Sequence, residues 1–235
     1  MSEINDERLQ ECAELIGHHF SNIELLHTAL VHRSWHAEHG GGVTNERLEF
    51  LGDAVLGWVV ADIAYHRLTD DAEGKLTDLR RSVVNMHALA DLSRACGIGS
   101  YILLGRGEQA AGGSDKTSIL ADAFEAIIGA VYLDAGPATA FEFVRRYLHE
   151  SIEAAIPHLD AFDSKTRLQE FCARTDRQAP SYVTEGEGPD HERIFTARVL
   201  VNGKEWGSGT GRTKKAAEQV AATAAYDALV QHDNA

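Results

Sequence analysis

The sequence has little cysteine, little proline and no long apolar run, and each shortage argues against a class of protein. Three widely separated cysteines, Cys12, Cys96 and Cys172, predict reduced thiols rather than a disulfide framework or a cysteine-rich metal site. The chain of 235 residues has four prolines, and 44% of its residues are hydrophobic and 25% are charged. This composition is typical of a globular chain and not of a disordered one. The apolar stretches are short, such as the one from Ala54 to Val60, and the first ten residues lack a secretory pattern. We therefore expect no membrane segment and a cytoplasmic protein.

Cations are also scarce, and their distribution divides the chain. The formal net charge of −14 argues against a nucleic-acid partner, because phosphate contacts need Lys and Arg. Residues 1–162 carry 12 Lys and Arg against 25 Asp and Glu, whereas residues 163–235 carry 10 against 11. The two parts therefore need separate explanations.

The acidic part has the pattern of an all-α domain. Apolar residues recur at three and four positions through most of residues 5–155, as in Leu48, Leu51, Val55 and Val59. The glycine-rich run at 105–113 is interpreted as a flexible loop. Glycine or proline breaks predict six or seven helices, with the breaks at 39–42, 97–99, 105–113 and 136–137.

After Pro157 the period of the apolar residues changes to two. Residues 182–185 and 194–201 alternate as half-buried antiparallel strands do, and Asn202-Gly203 predicts a two-residue hairpin turn. Helical patterns at 165–174 and 214–229 flank the strands. The predicted fold class is an all-α domain followed by a small α+β domain of order α-β-β-β-α. The predicted divisions are a domain at 1–156, a linker at 157–162 and a domain at 163–235.

Two groups of acids stand out in the helical part. Glu46, Glu49 and Asp53 are spaced i, i+3 and i+7, which places them on one helix face. A solvated acidic face is the commoner explanation of such a stripe, and like charges so placed destabilise a helix unless a cation offsets them. Asp53 stands between apolar neighbours, so we expect it at the edge of the core, where an unpaired carboxylate is costly.

The second group is Asp122 and Glu125, spaced i and i+3 within a helix that is apolar almost all round. Such a helix is buried, and buried acids need partners. Carboxylates without Cys or His at ligand spacing suit Mg²⁺ or Mn²⁺ better than zinc. Glu73 opens another helix, where an acid is favoured by the dipole alone. The twelve histidines form no nucleophile pair, and neither a P-loop nor a GxGxxG motif is present.

The segment from Asn45 to Leu56, with Glu73-Gly74 and Asp122 to Ala126, resembles the ribonuclease III family in its small bacterial form, an endonuclease domain followed by a double-stranded RNA-binding domain. The resemblance covers nearly the whole chain. It implies a site that binds Mg²⁺, for which Mn²⁺ can substitute, with two ions per site. The implied roles are catalysis by Asp53 and Glu125, metal binding by Glu49, Asp53, Asp122 and Glu125, and support by Glu46 and Glu73.

The same resemblance implies a reaction and an assembly. The reaction is hydrolysis of double-stranded RNA to 5′-phosphate and 3′-hydroxyl ends with short 3′ overhangs, in the processing of ribosomal and other RNA precursors. The assembly is a homodimer whose two sites cut both strands. Phe50 resembles the aromatic knob of the dimer interface, although a Phe in such a helix is more often ordinary core.

Three regions of residues 163–235 resemble the RNA contacts of the family's second domain. Two of them are a helix face and a loop that meet successive minor grooves, and the third is a cationic helix start that meets phosphates. The helix macrodipole disfavours positive charge at a helix N-terminus. Phosphate binding therefore explains the cations at this helix start better than helix stability does. A net charge of −1 predicts weak, salt-dependent affinity. The implied contacts are Thr166, Gln169, Glu170, Pro189, His191, Arg212, Lys214 and Lys215.

Two other functions share part of this pattern. A non-catalytic double-stranded RNA-binding protein would have the second domain without need of Asp53, Asp122 and Glu125. An all-α, metal-dependent enzyme acting on small phosphorylated metabolites would have the acids but no use for residues 163–232. The sequence therefore favours a metal-dependent endoribonuclease specific for double-stranded RNA.

Overall fold

The computed structural model describes residues 5–159, 164–189 and 193–233. The chain folds into two compact units, the first comprising residues 1–72 and 79–155 and the second comprising residues 73–78 and 156–235. The domain and linker boundaries given above remain a prediction. Within the described residues, no helix combines the length and apolar character that crossing a membrane requires.

The first part of the chain is helical, as its periodicity predicts. The helices are α1 (Asp6–Ile16), α2 (Ile23–Ala29), α3 (Arg33–Glu38), α4 (Glu46–Arg67), α5 (Glu73–Val83), α6 (Met86–Ala95), α7 (Arg106–Ala110) and α8 (Thr117–Ala155), with 3₁₀ turns at Ile98–Ser100, Gly113–Asp115 and Ile156–His158. Helix α8 is interrupted at Gly136, which has a φ of 80° and is followed by Pro137. The core is built on α4 and on the first half of α8, which is buried on nearly every side.

The described residues hold eight α-helices here, so the prediction of six or seven is too low. The interpretation of 105–113 as a flexible loop is also wrong. Helix α7 lies in that run, and the buried Gly105 donates its N–H to Ser34 Oγ at 2.9 Å. Periodicity cannot detect a five-residue helix, because it spans too few turns to show an apolar face.

The second part has the predicted α-β-β-β-α order. It contains α9 (Ser164–Arg174), β1 (Ser181–Glu187), β2 (Ile194–Val201), β3 (Lys204–Gly211) and α10 (Lys214–Asp233), and the strands form an antiparallel sheet in the order β1-β2-β3. Asn202 and Gly203 have φ of 52° and 73°, as a tight hairpin turn requires. Ala197, Val199 and Val201 are buried on one face, which confirms the fold class and the predicted strand alternation.

Small residues let the last helix lie close to the sheet. A Cβ added to Gly209 would stand 2.5 Å from Ala221 N, and one added to Gly211 would stand 2.6 Å from Ala217 N. Because both contacts are with helix backbone, no side chain can move aside to make room. This packing fixes α10, and with it the cations at its start, against β3.

Candidate metal and RNA site

Three carboxylates from two core helices converge in the first unit. Glu49 belongs to α4, and Asp122 and Glu125 lie one turn apart on α8. One ligand atom from each lies within 4.8 Å of the others, and all three side chains are partly buried. This group is called the acid cluster below.

The acid cluster depends on a close approach of α4 and α8. A Cβ added to Gly52 would stand 1.7 Å from Glu125 O, and one added to Gly129 would stand 2.3 Å from Leu48 O. Both distances are far below van der Waals contact, so only glycine fits at either position. The two glycines bring the backbones together one turn from Glu49 and Glu125. The sequence analysis missed Gly129, because in the sequence it is only a helical glycine among apolar residues.

Burial and mutual repulsion perturb the acid cluster. Burial, followed by the charges of Asp53, Glu49 and Asp122, raises the pKa of Glu125 to about 7. Burial likewise raises the pKa of Glu49, to which the charges of Asp122 and Glu46 add. Burial also raises the pKa of Asp122. Carboxylates that repel one another in a partly buried site are stabilised by a cation placed between them.

The raised pKa of Glu125 predicts how the stability of the metal-free protein changes with pH. The pKa is about 7 in the folded protein against 4.5 for an ordinary Glu, so stability is lost as pH rises through that interval. Glu125→Gln removes this loss. In the presence of a chelator, we expect the variant to exceed the native chain in thermal stability at pH 8, with a much smaller difference at pH 5. Glu14→Gln on the exposed surface of α1 is the control. Equal differences at the two pH values would contradict the raised pKa.

Two further acids of α4 flank the acid cluster. Asp53 is exposed, so the expectation that it lies at the edge of the core is wrong. Asp53 and Ala54 lie on the outward face of α4, whereas Gly52, Val55 and Leu56 lie on its buried face. Its charge nevertheless contributes to the raised pKa values of Glu125 and Glu49. Glu46 is exposed at the start of α4, where its Oε2 accepts from Thr44 Oγ1 at 2.9 Å.

Glu73 is not among the acids that converge in the described part of the chain. It is exposed at the start of α5, and Thr77 Oγ1 donates to its Oε1 at 2.8 Å. Its observed surroundings are those of a helix N-terminal acid. A supporting role for Glu73 remains a prediction.

Two cationic or titratable residues beside the acid cluster were missed by the sequence analysis. The charge of Arg33 lowers the pKa of Glu49 and of Asp122 and so opposes the effect of burial. The charge of His32 acts in the same direction on Asp122. Burial lowers the pKa of His32 itself. Their position follows from backbone contacts of an irregular segment: Asn45 N–H donates to Val31 O at 2.9 Å, and His32 N–H donates to Leu103 O at 3.1 Å. These contacts join residues far apart in sequence, and no sequence motif predicts them.

The acid cluster fits a hard divalent cation. Its donors are carboxylate oxygens, the ligands that Mg²⁺ and Mn²⁺ prefer, and it holds neither Cys nor His. Burial is the largest cause of the raised pKa of each of the three acids.

Phe50 is on the surface and not in the core. It is 80% exposed, although it lies between the partly buried Glu49 and Leu51 on α4. Val43 and Leu133 are also exposed, and together with Leu25 and Phe50 they line an open groove of about 730 Å³. An apolar surface of this kind marks an interaction site. It is called the Phe50 patch below.

The predicted RNA contacts of the second unit are exposed wherever the structure describes them. Thr166, Gln169 and Glu170 lie on one face of α9, and Pro189 follows β1. His191, another predicted contact, lies outside the described residues. The cations at or just before the start of α10 are Arg212, Lys214 and Lys215. Thr213 Oγ1 caps that helix by accepting from Ala216 N at 3.1 Å.

The chain is similar to known proteins over both units. The family model described as Ribonuclease-III-like matches residues 22–152, and the one described as a double-stranded RNA binding motif matches residues 164–229. Ribonuclease 3 of Thermobifida fusca is 50% identical over 97% of this chain and 95% of its own length. Ribonuclease 3 of Mycobacterium tuberculosis is 53% identical over 90% of both.

A solved structure is similar to the first unit. It is the nuclease domain of ribonuclease III from Campylobacter jejuni, described as showing flexibility in a region involved in dimer formation. It is 39% identical, covers 60% of this chain and 96% of its own, and superposes with a TM-score of 0.57.

Proposed function

The chain belongs to the ribonuclease III family as a double-strand-specific endoribonuclease with a double-stranded RNA-binding domain, and from that premise we propose that the acid cluster is its metal-dependent active site. The convergence of Glu49, Asp122 and Glu125 is the observation that carries the proposal. Asp53 completes the proposed ligands, and Asp53 and Glu125 are the proposed catalytic residues. Glu46 and Glu73 are proposed as supporting acids.

The proposed cofactor is Mg²⁺, with Mn²⁺ able to substitute and two ions per site. Bound there, the ions would activate water and stabilise charge on the phosphate and on the departing oxygen. The carboxylates hold them, and the short distance between α4 and α8 keeps the ligands oriented without a reorganisation step. The proposed products carry 5′-phosphate and 3′-hydroxyl ends with short 3′ overhangs. The proposed cellular role is processing of ribosomal and other RNA precursors in the cytoplasm.

Direct metal binding tests the site without relying on cleavage. In a calorimetric titration with Mn²⁺, the native chain should bind with micromolar to millimolar affinity, and Glu49→Gln should bind at least about tenfold more weakly. Glu14→Gln, which removes a charge from exposed α1, should bind as the native chain does. If Glu49→Gln bound Mn²⁺ with unchanged affinity and stoichiometry, the assignment of the acid cluster as the metal site would be wrong.

The homodimer is proposed to form through the Phe50 patch. The similar Campylobacter jejuni nuclease domain is described as having a region involved in dimer formation, and the exposed Phe50 ring beside an apolar groove gives a self-complementary knob and socket. A second copy related by two-fold symmetry would bury both rings. The dimer places two acid clusters in one assembly, so both strands of a duplex can be cut.

A charge at position 50 should dissociate the dimer. Phe50→Asp places an uncompensated carboxylate in the contact, so sedimentation should shift toward monomer and paired cuts on both strands should become rare. Met86→Asp alters another exposed apolar residue, on α6, and should leave the dimer intact. A folded Phe50→Asp variant that sedimented as the native dimer would refute the role.

The second unit is proposed to bind duplex RNA through Thr166, Gln169, Glu170, Pro189, His191, Arg212, Lys214 and Lys215. The helix face would meet 2′-hydroxyls in one minor groove, and the loop would meet those in the next. The cations at the start of α10 would contact phosphates. This binding is sequence-independent, because shape and backbone are recognised rather than base edges.

Removal of two cations at α10 should reduce the salt dependence of binding. Lys214→Ala with Lys215→Ala should weaken binding to every duplex sequence alike and reduce the slope of log affinity against log salt by about 1 to 2. Arg198→Ala with Lys204→Ala removes two cations from the strands and should leave the slope nearly unchanged. A salt titration of duplex binding provides the measurement. An unchanged slope for the α10 variant would show that its lysines are ordinary surface residues.

A further inference from the structure

One carboxylate joins three elements of the second unit. Glu218, on α10, accepts a hydrogen bond from Lys165 Nζ at the start of α9 and another, of 3.1 Å, from Thr184 Oγ1 on β1. All three side chains belong to partly buried residues. Lys165, Thr184 and Glu218 are called the Glu218 network below.

Neighbouring contacts also hold the start of α9 against α10. Ser164 Oγ and Thr223 Oγ1 share a hydrogen bond of 2.6 Å, and the backbone N–H of Lys165 donates to Gln219 Oε1 at 3.4 Å. The Lys165 ammonium lies 4.3 Å from the centre of the Tyr182 ring, which is a cation–π contact. Protein groups therefore engage both the charge and the backbone of Lys165.

The Glu218 network lies between two of the proposed RNA-contact regions. Lys165 directly precedes Thr166, the first proposed contact on α9. Glu218 follows Lys214 and Lys215 by about one turn of α10, or ~5.4 Å. A domain that recognises duplex RNA by shape must present these regions at the spacing of a minor groove and its neighbouring phosphates. The network is therefore placed to set that spacing.

Charge alone does not explain Glu218. A carboxylate one turn from proposed phosphate contacts repels the RNA backbone. The hydrogen bond from Lys165 is the largest cause that lowers the pKa of Glu218, and the charge of Lys214 acts in the same direction. The carboxylate is therefore ionised at neutral pH. An ionised acid at this position can favour RNA binding only through the geometry that it imposes.

We propose that Glu218 is a positioning residue for RNA binding, which holds α9 and the start of α10 at the separation that a duplex requires. The inference rests on the proposed function of the second unit, because it takes the contacts on those two helices as given. Glu218 acts through Lys165 and Thr184 and does not itself contact RNA. With the two helix starts already ordered, binding does not carry the cost of ordering them. This effect increases affinity and leaves the number of phosphate contacts unchanged.

Glu218→Gln in the full-length protein tests this role, because charge and geometry predict opposite results. The amide keeps the size of the side chain and can still accept from Thr184, but it loses the ion pair with Lys165. The Kd for a long duplex, measured in chelator, should rise about threefold to tenfold. The slope of log affinity against log salt should not change, because no phosphate contact is lost. In Mg²⁺, KM should rise by a similar factor while kcat stays within about twofold.

A second variant removes the other partner of the ion pair. Lys165→Met keeps the apolar stem and should weaken binding by a similar factor, again without a change of slope. Because the two residues act as a pair, the double variant should bind no more weakly than the weaker single variant. A slope that shrinks by about 0.7 to 0.9 for Lys165→Met would make Lys165 a phosphate contact and would overturn the inference.

Asp233→Asn is the matched control. Asp233, at the end of α10, pairs with Arg177 at 2.6 Å, and their side chains are 30% and 19% exposed against 22% and 35% for Glu218 and Lys165. The substitution removes one negative charge from the same helix and one ion pair from the same unit. It does so ~22 Å along the helix from Glu218, at ~1.5 Å per residue. Asp233→Asn should bind the duplex as the native chain does.

Each outcome decides for or against the role, with every variant measured below the onset of its thermal unfolding. Weaker binding by Glu218→Gln, with the native slope and an unchanged Asp233→Asn, supports it. Equal or tighter binding by Glu218→Gln, which the loss of a repelling charge would produce, overturns it. Equal weakening by Asp233→Asn also overturns it, because the effect would then be general destabilisation. The variant that lacks Lys214 and Lys215 is titrated alongside, and an unchanged slope there would refute the proposed RNA contacts themselves, so the two failures are distinguishable.

Discussion

Replacing Glu125 by glutamine is expected to lower duplex-RNA cleavage at least ~100-fold while duplex binding survives. The substitution keeps the size and shape of the side chain but removes the negative charge from the most perturbed carboxyl of the acid cluster, whose pKa is raised to about 7. A neutral amide is a weaker ligand for a hard divalent cation. The second unit, which holds the proposed duplex contacts, is unchanged, so binding affinity should remain within about twofold.

Single-turnover cleavage and duplex binding are measured on the same preparation. Glu14→Gln, an equally conservative change on the exposed surface of α1, should cleave as the native chain does. Near-native cleavage by Glu125→Gln in saturating Mg²⁺ would remove Glu125 from the site. Loss of both cleavage and binding would indicate a folding defect, and the thermal unfolding curve of the variant would then show it.

Gly52→Ala is expected to disrupt both the core and the acid cluster, although it adds a single methyl group. The new Cβ would stand 1.7 Å from Glu125 O, so α4 and α8 must separate. Such overpacking against backbone should lower the free energy of unfolding by about 3 kcal/mol or more. Because Glu49 and Glu125 lie on opposite sides of this contact, Mn²⁺ affinity should also fall at least about tenfold.

A second glycine on the same helix provides the control. A Cβ at Gly57 would meet nothing within 4 Å, so Gly57→Ala should leave Mn²⁺ affinity unchanged and raise the free energy of unfolding by up to ~1 kcal/mol through helix propensity. Chemical denaturation and calorimetric titration of the two variants provide the comparison. If Gly52→Ala matched Gly57→Ala in both measurements, the spacing of α4 and α8 would have no part in the site.

The parts of the fold that the sequence predicts are those governed by local periodicity. The alternation in β2 identifies Ala197, Val199 and Val201 as an inward face, and Asn202-Gly203 identifies the turn. The spacing of Asp122 and Glu125 on an apolar helix likewise requires that both acids share one face. In each case the relevant contacts lie within a few residues, so the sequence pattern contains the information.

Other features depend on contacts between distant segments. His32 and Arg33 reach the acid cluster because Val31 pairs with Leu103 in an isolated bridge, a contact that sequence spacing does not reveal. Phe50 illustrates the same limit, since its position in an apolar helix is compatible with core or surface. Only the packing of α4 on α8 decides which side faces outward, and it leaves Phe50 80% exposed. Asp53 is likewise exposed although apolar residues flank it in the sequence.

The most direct test of the account is cleavage of a long RNA duplex by the full-length protein with and without Mg²⁺, with the product ends mapped. After chelation the protein should bind the duplex without cutting it, and addition of Mg²⁺ should yield 5′-phosphate and 3′-hydroxyl ends with short 3′ overhangs on both strands. Cutting at the same rate in excess chelator, or ends of the opposite chemistry, would contradict the proposal that Glu49, Asp122 and Glu125 form a metal-dependent active site.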